Sequence, residues 1–537
     1  MTASLSKARI LVIDDFQGMR TMLGNFVRSM GVTQVVSAGN GPEALNQLRQ
    51  NTFDIVICDF NLGIGQNGQQ VLDEARMRNY VGISTIWVMV TAEKTTDMVM
   101  GAAEVKPDDY LLKPINQSLL ESRLEKLIAR KQSLVGIETA IKAKDYTAAI
   151  AHCDLQLSAQ ANNPQEILRI KSDLLLQIGD YNAAKAVFES ILVMRNIPWA
   201  RTGLGKVLFY AGDYEAAKLI FQQVLQENRM YMEASDWLVK ALDALGDSRQ
   251  AQQILQEAVK LSPNSPVRQK NLGDTAYKNG DLDIAQKAFE TTVKISEFSS
   301  HKSPAIYSGL AKVLTDKHAP DEALKVLARS KVTFKGNIEA TIQTAAVEST
   351  VYGSMGQTDK AEAAMATAAD LMSQLPGKVS TEVAMEMAQS MLKIGKKEQA
   401  FELLSDLVKN NHENLEISRQ VANVFESVNM KEEGQALIQE SRQEVININN
   451  QGVLLAKKGE YQEGAKLLRT AVQNLPNSEV VIMNLCGLLI GQMTKEGRND
   501  AIIREVKSLL DRVREINPAN KKHHTYAAAL VRIAGGR

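Results

Sequence analysis

Ile55-Val56-Ile57-Cys58-Asp59-Phe60-Asn61 is the stretch on which the fold turns. Its apolar part is short, β-branched and flanked by polar residues, the pattern of a strand buried on both faces of a parallel sheet. Sheets of that kind place their reactive groups just past the C-terminal ends of the strands. Asp59 is therefore the first candidate for chemistry. A second strand-like run, Ile10-Leu11-Val12-Ile13, closes on Asp14-Asp15. If the two runs lie side by side, three carboxylates converge at one sheet edge. Such a cluster repels itself unless a hard divalent cation sits within it, and a set of oxygen ligands favours Mg²⁺.

Working outward, strand-like runs recur at Gln34–Ser37, Thr85–Val90 and Tyr110–Leu112, with helical stretches between them. One helix opens on Asn40-Gly41-Pro42-Glu43, a polar cap with proline in the first turn. Five strands alternating with helices in this length imply a doubly wound, five-stranded parallel sheet, an α/β fold. Thr91 follows the fourth strand and Lys113 the fifth, so both share the edge of Asp15 and Asp59. This set suits phosphoryl transfer, whose transition state spreads charge over the equatorial oxygens. A Mg²⁺ ion, an ammonium and a hydroxyl can each meet one of those oxygens. An ionised carboxylate is a nucleophile that needs no general base.

Taken in order, Asp14-Asp15, Asp59, Thr91, Tyr110 and Lys113-Pro114 resemble the receiver domain of two-component response regulators, the chemotaxis regulators among them, over the first quarter of the chain. The resemblance implies that Asp59 accepts a phosphoryl group from a histidine kinase or phosphotransfer protein. It implies that Asp15, Asp59 and the backbone carbonyl of Asn61 ligate Mg²⁺, with Asp14 acting through water. Thr91 and Lys113 would hold the phosphate, Tyr110 would change rotamer, and the Lys113-Pro114 peptide would be cis. Asn61 and Glu93 match positions that tune dephosphorylation, which implies a short-lived phosphorylated form. The loop Leu62–Gly68 departs from the family in lacking its usual proline.

That loop also reads Gly63-Ile64-Gly65-Gln66-Asn67-Gly68, a G-x-G-x-x-G match. A dinucleotide site would need it in the first β-α-β unit with an acid ending the next strand. Here it follows the third strand and the next one ends in Thr91, so a flexible loop is the expectation. The amphipathic stretch Gln117–Gln132 continues into a second helical pattern at Leu134 without a Pro-, Gly- or Ser-rich linker. A short, stiff junction is expected, the alternative being a joint at Ser133 or Gly136.

From there on the signal is repetition. Gly179-Asp180-Tyr181, Gly212-Asp213-Tyr214, Gly246-Asp247-Ser248 and Gly280-Asp281-Leu282 place glycines 33, 34 and 34 residues apart. After each turn a small residue precedes a large one: Ala184/Phe188, Ala217/Phe221, Ala251/Leu255 and Ala285/Phe289. Leu204-Gly205 and Leu272-Gly273 precede two of the turns. This helix-turn-helix period resembles the tetratricopeptide repeat. An earlier copy is expected at Asp145-Tyr146 with Ala149/Cys153. Later ones are expected at Ala323/Leu327, Ala361/Met365, Ala400/Leu404, Gly434/Ile438 and Gly464/Leu468. Near Gly356 and Gly395 the spacing stretches to 39, which calls for inserted loops or longer helices. Lys521–Ile533 would close the stack as a capping helix. The resemblance implies an all-α solenoid with a protein-binding groove. Its consensus positions put Trp199, Thr202, Lys206, Phe209, Lys240, Lys270, Asp274, Tyr277 and Lys278 on the inner face, the alternative being ordinary packing or solvated residues. Asp274 stands where a carboxylate-clamp repeat has Asn, which argues against a chaperone-tail binder.

The chain of 537 residues therefore divides into a receiver, 1–131, and a solenoid, 132–537. Lys plus Arg and Asp plus Glu both number 62, which argues against nucleic acid as a partner. The 3 cysteines, Cys58, Cys153 and Cys486, are far apart and fit a reducing compartment. The start of the sequence lacks the apolar core of a signal peptide, and the apolar stretch around Val480–Ile490 is too short to span a bilayer. A cytoplasmic protein is the expectation. His523-His524 beside Lys521-Lys522 lack a third ligand at metal spacing, and Met385, Met387 and Met391 read as packing residues. The expected function is a Mg²⁺-dependent phosphoacceptor with self-dephosphorylation only, not otherwise an enzyme. Phosphorylation would switch protein binding by the repeats, with a phosphorylation-dependent homodimer among the allowed outcomes. The alternative is a constitutive scaffold that uses the receiver only for docking.

Overall fold

The computed structural model describes residues 5–92, 104–375, 379–518 and 520–535. They form two compact units, Met1–Ser303 and Pro304–Arg537.

The first unit opens with β1 (Arg9–Ile13), α1 (Gln17–Ser29), β2 (Gln34–Ala38), α2 (Gly41–Gln50), β3 (Ile55–Asp59), α3 (Gly68–Met77), β4 (Ile86–Thr91), β5 (Asp109–Leu112) and α4 (Gln117–Lys131). The five strands form one parallel sheet in the order β2-β1-β3-β4-β5. Side chains alternate between faces along each strand, so every strand feeds two cores. Ile10, Val12, Ile55, Ile57, Val88 and Val90 meet Leu23 and Val27 of α1 and Leu120 and Leu124 of α4. Leu11, Ile13, Val56, Cys58, Trp87 and Met89 meet Ala44 and Leu48 of α2 and Val71 and Leu72 of α3. Asn40 caps α2 by accepting from the Glu43 amide at 2.9 Å, with Pro42 in the first turn.

No flexible linker separates this layer from the helices after it. A single 3₁₀ turn, Gln132–Leu134, joins α4 to α5 (Val135–Lys142). Leu134 is fully buried, and Ser133 donates to Asn163 Oδ1 at 2.9 Å. Lys131 reaches back to Asp108 Oδ1 at 2.8 Å and the Ile83 carbonyl at 2.7 Å. Glu138 on α5 accepts from the Ser84 amide at 2.6 Å. The junction is stiff because its polar groups are pinned on both sides.

Among the described residues, nine further helices follow in the first unit: α6 (Tyr146–Ser158), α7 (Pro164–Gln177), α8 (Tyr181–Met194), α9 (Pro198–Tyr210), α10 (Tyr214–Glu227), α11 (Met232–Leu245), α12 (Ser248–Leu261), α13 (Pro266–Lys278) and α14 (Leu282–Ile295). The Gly-Asp pairs explain themselves. Gly179, Gly212, Gly246 and Gly280 sit at φ of +68°, +84°, +79° and +79°, the left-handed region that ends a helix. The following Asp then caps the next helix: Asp180, Asp213 and Asp247 accept from Ala183, Ala216 and Gln250 amides. Asp281 instead accepts from Gln252 Nε2 at 2.8 Å. The small-large pattern is a packing device. A Cβ added to Gly205 would stand 2.5 Å from Phe221, and one added to Gly273 would stand 2.9 Å from Phe289. Phe188, Phe221 and Phe289 are all buried in the gaps so made.

The second unit holds α15 (Pro304–Asp316), α16 (Pro320–Thr333), α17 (Ile338–Ser354), α18 (Thr358–Ser373), α19 (Thr381–Lys393), α20 (Lys397–Asn410), α21 (Leu415–Glu426), α22 (Lys431–Lys458), α23 (Tyr461–Asn474), α24 (Glu479–Glu496), α25 (Asp500–Ile516) and α26 (Lys521–Ala534). Ala323, Leu327, Ala361, Met365, Ala400, Leu404 and Leu468 are buried, each on the second helix of its hairpin. The stretched spacing near Gly356 is taken up by helix length, since α17 and α18 run 17 and 16 residues. Gly434 and Gly464 both begin second helices, but α22 is one unbroken helix of 28 residues serving two consecutive hairpins. Its middle, Val445-Ile446-Asn447-Ile448, contains neither Gly nor Pro to stop it. Met387 and Met391 are buried, in keeping with a packing role.

Candidate functional site

The sheet register assembles the acids. Ile13 pairs with Cys58, so Asp14 and Asp59, the next residues of their chains, emerge side by side. Thr91 pairs with Leu112, which delivers Lys113 to the same edge. Asp59 and Thr91 are the last residues of β3 and β4 rather than the first beyond them. Carboxylate oxygens of Asp14, Asp15 and Asp59 lie within 4.8 Å of one another, the only such His/Cys/Asp/Glu group among the described residues.

Lys113 is the counter-charge. Its Nζ donates to Asp59 Oδ2 at 2.7 Å and Asp14 Oδ2 at 3.1 Å. Asp14 is fully buried, Asp59 nearly so, and Asp15 is exposed. The trio thus spans from the interior to solvent, and a small ion has a route in. Burial drives the Asp59 pKa up against the opposing pull of Lys113, and neighbouring Asp14 adds to the rise. Burial also works against the Lys113 ammonium, but its two carboxylate partners outweigh that and raise its pKa. Cys58, wholly buried beside these acids, has its thiol pushed far up and stays an inert thiol.

The backbone around the trio is held tightly. Phe16 N donates to Asp14 Oδ1 at 2.9 Å, and Arg20 Nη1 reaches the Asp14 carbonyl at 2.6 Å. The Lys113 amide donates to the Thr91 carbonyl at 2.8 Å, and the Lys113-Pro114 peptide is cis. Thr91 is buried beside Lys113's strand end. The Asn61 side chain accepts from the Gly63 amide at 3.1 Å, and Gly63 passes close to Asp15. Tyr110 is half-buried, 3.4 Å from Gln69 Nε2 through its hydroxyl. Glu93 lies outside the described residues.

The glycine-rich loop serves the acids rather than a nucleotide. Gly68 N donates to the Phe60 carbonyl at 2.8 Å, and Asn67 and Gln70 cap α3 reciprocally, each bond 2.9 Å. A Cβ on Gly68 would sit 2.2 Å from the Asp59 carbonyl and 2.9 Å from Cys58 Sγ. The last glycine is therefore required by close approach to the strand that carries Asp59. At the other end of the chain, His523 Nε2 lies 3.1 Å from the Leu510 carbonyl, and His523 stacks edge-on with His524.

The candidate groove residues fall into two groups. Lys206 pairs with Glu233 at 2.6 Å, and Lys240 lies over the Trp237 ring at 4.2 Å. Lys270 pairs with Asp274 at 3.0 Å, Tyr277 is half-buried, and Lys278 is exposed. Trp199 packs edge-on against Phe188 below Arg169, and Phe209 lies among Tyr210, Tyr214 and Trp237. Thr202 does not line a groove: it is fully buried, and its hydroxyl returns to the Pro198 carbonyl of its own helix. Sequence reasoning did not find Asp73, Arg76, Glu104, Lys106, Glu233, Arg268 or His301. These charged residues meet between the sheet layer and the hairpins of the first unit, and charge pairs leave no periodic trace in a sequence.

The response regulator receiver domain model matches residues 10–125, and a tetratricopeptide repeat model matches 208–272. Chemotaxis protein CheY of Pseudomonas aeruginosa is 32% identical over 122 residues, which is 23% of this chain and 97% of that protein. Chemotaxis protein CheY-3 of Vibrio cholerae is 31% identical over 131 residues, 24% of this chain and 99% of that protein. Among solved structures, CheY4 of Vibrio cholerae is 27% identical, covering 22% of this chain and 98% of its own, with a TM-score of 0.21.

Proposed function

Because the chain belongs to the response regulator receiver family, we propose that it is a phosphorylation-controlled regulator whose output is protein binding by tetratricopeptide repeats. Homology to CheY-type receivers implies phosphorylation-based signalling. The observation that carries the finer reading is the Lys113 ammonium bridging Asp59 and Asp14 at the strand ends, 2.7 and 3.1 Å away. It stands where a phosphoryl oxygen on Asp59 needs a cation.

An Asp59 carboxylate oxygen attacks phosphorus while the bond from phosphorus to the donor's imidazole nitrogen breaks, leaving an acyl phosphate and a free histidine. Lys113 and the Thr91 hydroxyl hold the transferred oxygens, and Tyr110 follows as they are drawn inward. The all-oxygen set of Asp14, Asp15, Asp59 and the Asn61 carbonyl fits Mg²⁺, which when bound neutralises charge on the phosphoryl group. Self-dephosphorylation is hydrolysis: water attacks the phosphorus, the bond to the Asp59 oxygen breaks, and inorganic phosphate leaves with the carboxylate restored; no other reaction is proposed. The donor is a histidine kinase or phosphotransfer protein, and the output partner is a protein held by the repeats. No described helix is long and apolar enough to cross a membrane. Three buried free cysteines fit a reducing, cytoplasmic setting.

A second reading has an observation behind it. Ion pairs tie the receiver to the repeats, as a permanently docked module would require. One experiment separates the two. A small-molecule phosphodonor with Mg²⁺ should add phosphate to wild type and not to Asp59→Asn, measured by intact mass. Partner capture or oligomeric state should then change with beryllofluoride and Mg²⁺. Capture identical in wild type and Asp59→Asn under all conditions would favour the constitutive scaffold.

A further inference from the structure

Away from the Arg130–Glu166 pair at the junction, three charged contacts fasten the receiver layer to the hairpins of the first unit, through two receiver segments. On α3, Asp73 Oδ2 lies 3.0 Å from His301 Nε2 and accepts from Ser300 Oγ at 3.1 Å. Just before β5, Glu104 Oε1 lies 2.6 Å from Arg268 Nη1, and Lys106 Nζ lies 3.7 Å from Glu233 Oε2. Arg76, on α3 like Asp73, donates to the carbonyls of Val105 and Lys106, the latter at 3.0 Å, and so clamps the two segments together.

The receiving surface is built for this pattern. Arg268 is only 7% exposed, and Asp236 takes its Nε and Nη2 at 2.7 and 3.0 Å, so the guanidinium is fixed with Nη1 left for Glu104. Glu233 is fixed by Lys206 at 2.6 Å, Arg169 at 3.3 Å and the Tyr231 hydroxyl at 3.1 Å. Burial alone would lift the Glu233 carboxyl, but Lys206, Lys106 and Arg169 outweigh it and hold its pKa at about 2. A preset cation and a preset anion therefore face one acid and one base spaced two residues apart. A cleft of about 440 Å³, lined by Asp73, Glu104, Val105, Pro263, Pro266 and His301 among others, runs along this contact.

We propose that Glu104-Val105-Lys106 is a built-in occupant of the repeat groove, released when Asp59 takes up phosphate, and that the freed surface accepts a partner segment of the same acidic-x-basic pattern. The inference rests on the phosphoacceptor reading above. Its route is short. The α3 N-terminus packs on the Asp59 carbonyl through Gly68, and Glu104–Lys106 leads directly into β5, which ends at Lys113. Movement of Lys113 toward a phosphoryl group pulls on both docking segments, which share Arg76. Coupling of this kind is reciprocal, so loosening the dock must favour the phosphorylated form.

The test is hydrogen exchange on the full chain. Amides around 104–108 and in α11 and α13 should be protected at rest and exchange at least about fivefold faster with beryllofluoride and Mg²⁺. Asp59→Asn should not respond. Glu104→Arg should give the fast pattern without beryllofluoride while amides of β1 and β3 keep their wild-type protection, which guards against simple misfolding. A labelled synthetic peptide of residues 104–109 should bind Glu104→Arg at least about fivefold more tightly than wild type. Intact mass reports phosphate on Asp59 separately. Phosphate uptake with unchanged protection overturns this inference and leaves the phosphoacceptor reading standing, whereas no uptake removes both. Equal peptide binding to the two proteins overturns the partner pattern.

Discussion

His301 Nε2 and Asp73 Oδ2 stand 3.0 Å apart, joining a histidine of the repeats to the helix that follows the strand of Asp59. Its hydrogen bond to Asp73 raises the His301 pKa against the opposing effect of burial. The Asp73 pKa is lowered because His301 and Ser300 overcome the effect of burial, with Arg76 adding to it. A histidine raised on folding adds stability fully present below its unfolded value, about 6.5, and lost as pH rises through the folded one. A carboxylate lowered on folding adds stability present above about 3.9 and lost below its folded value. The pair is therefore strongest in mildly acidic solution. Docking measured by hydrogen exchange should weaken from pH 6 to pH 8, and His301→Gln should flatten that profile. Both side chains are over a third exposed, so the effect should stay below about 1 kcal/mol.

Lys113→Met should leave buried Asp14 and Asp59 facing each other without a counter-charge. A loss of about 2 kcal/mol near pH 7 is expected, less than for a wholly buried pair because Lys113 retains 21% exposure. Lowering the pH should recover part of it by protonating Asp59, whose pKa already lies above its ordinary value. Mg²⁺ should do the same by supplying charge. Urea unfolding at pH 7 and pH 5, with and without Mg²⁺, reads all three.

Gly68→Ala places a methyl 2.2 Å from the Asp59 carbonyl, a distance that backbone must yield to. Phosphoryl uptake at Asp59 should fall steeply, and stability should drop by about 1–3 kcal/mol. Intact mass after treatment with a small phosphodonor checks the first, and thermal unfolding the second. Uptake at the wild-type rate would show that strand β3 is free to shift without harm.

In the repeats, two glycines of the same hairpin should respond differently. Gly205→Ala drives a methyl to 2.5 Å from the Phe221 ring, so Phe221→Leu in the same chain should recover part of the loss. Gly212→Ala meets nothing within 4 Å, but its φ of +84° costs a side chain about 1 kcal/mol, which no neighbour can relieve. Conversely, His318 holds φ +59° at an equivalent turn, and His318→Gly should stabilise by about 0.5 kcal/mol, since relief of strain exceeds the added unfolded-state entropy. Local hydrogen exchange of the flanking helices measures each.

These glycines also show what a reader of the chain can and cannot extract. Where the left-handed turn residue is glycine and the next is Asp, the hairpin announces itself, as at Gly179 and Gly212. Where the same turn is made by Lys144, His318 or Asn429, at φ of +55°, +59° and +59°, the geometry persists without its glycine, and what remains to be read is Asp145-Tyr146 with Ala149/Cys153, Ala323/Leu327 or Gly434/Ile438. The unbroken α22 was hidden for a related reason: the 3.6-residue period does not report whether two helices have fused. The acids of the sheet were legible because strand ends and sheet topology together dictate their meeting. The Arg268–Glu104 pair spans 164 positions of sequence and follows from no local rule.

Lys131 and Glu138 carry a practical lesson for anyone who would shorten this chain. Severed after residue 131, the sheet layer would lose the carboxylate that accepts from the Ser84 amide at 2.6 Å and the Glu166 partner of Arg130 at 2.6 Å. An amputated receiver would thus be rewired at its rim, and its phosphate lifetime or metal affinity would describe the fragment. The natural minimum for such work ends at Ser303, where the first compact unit ends.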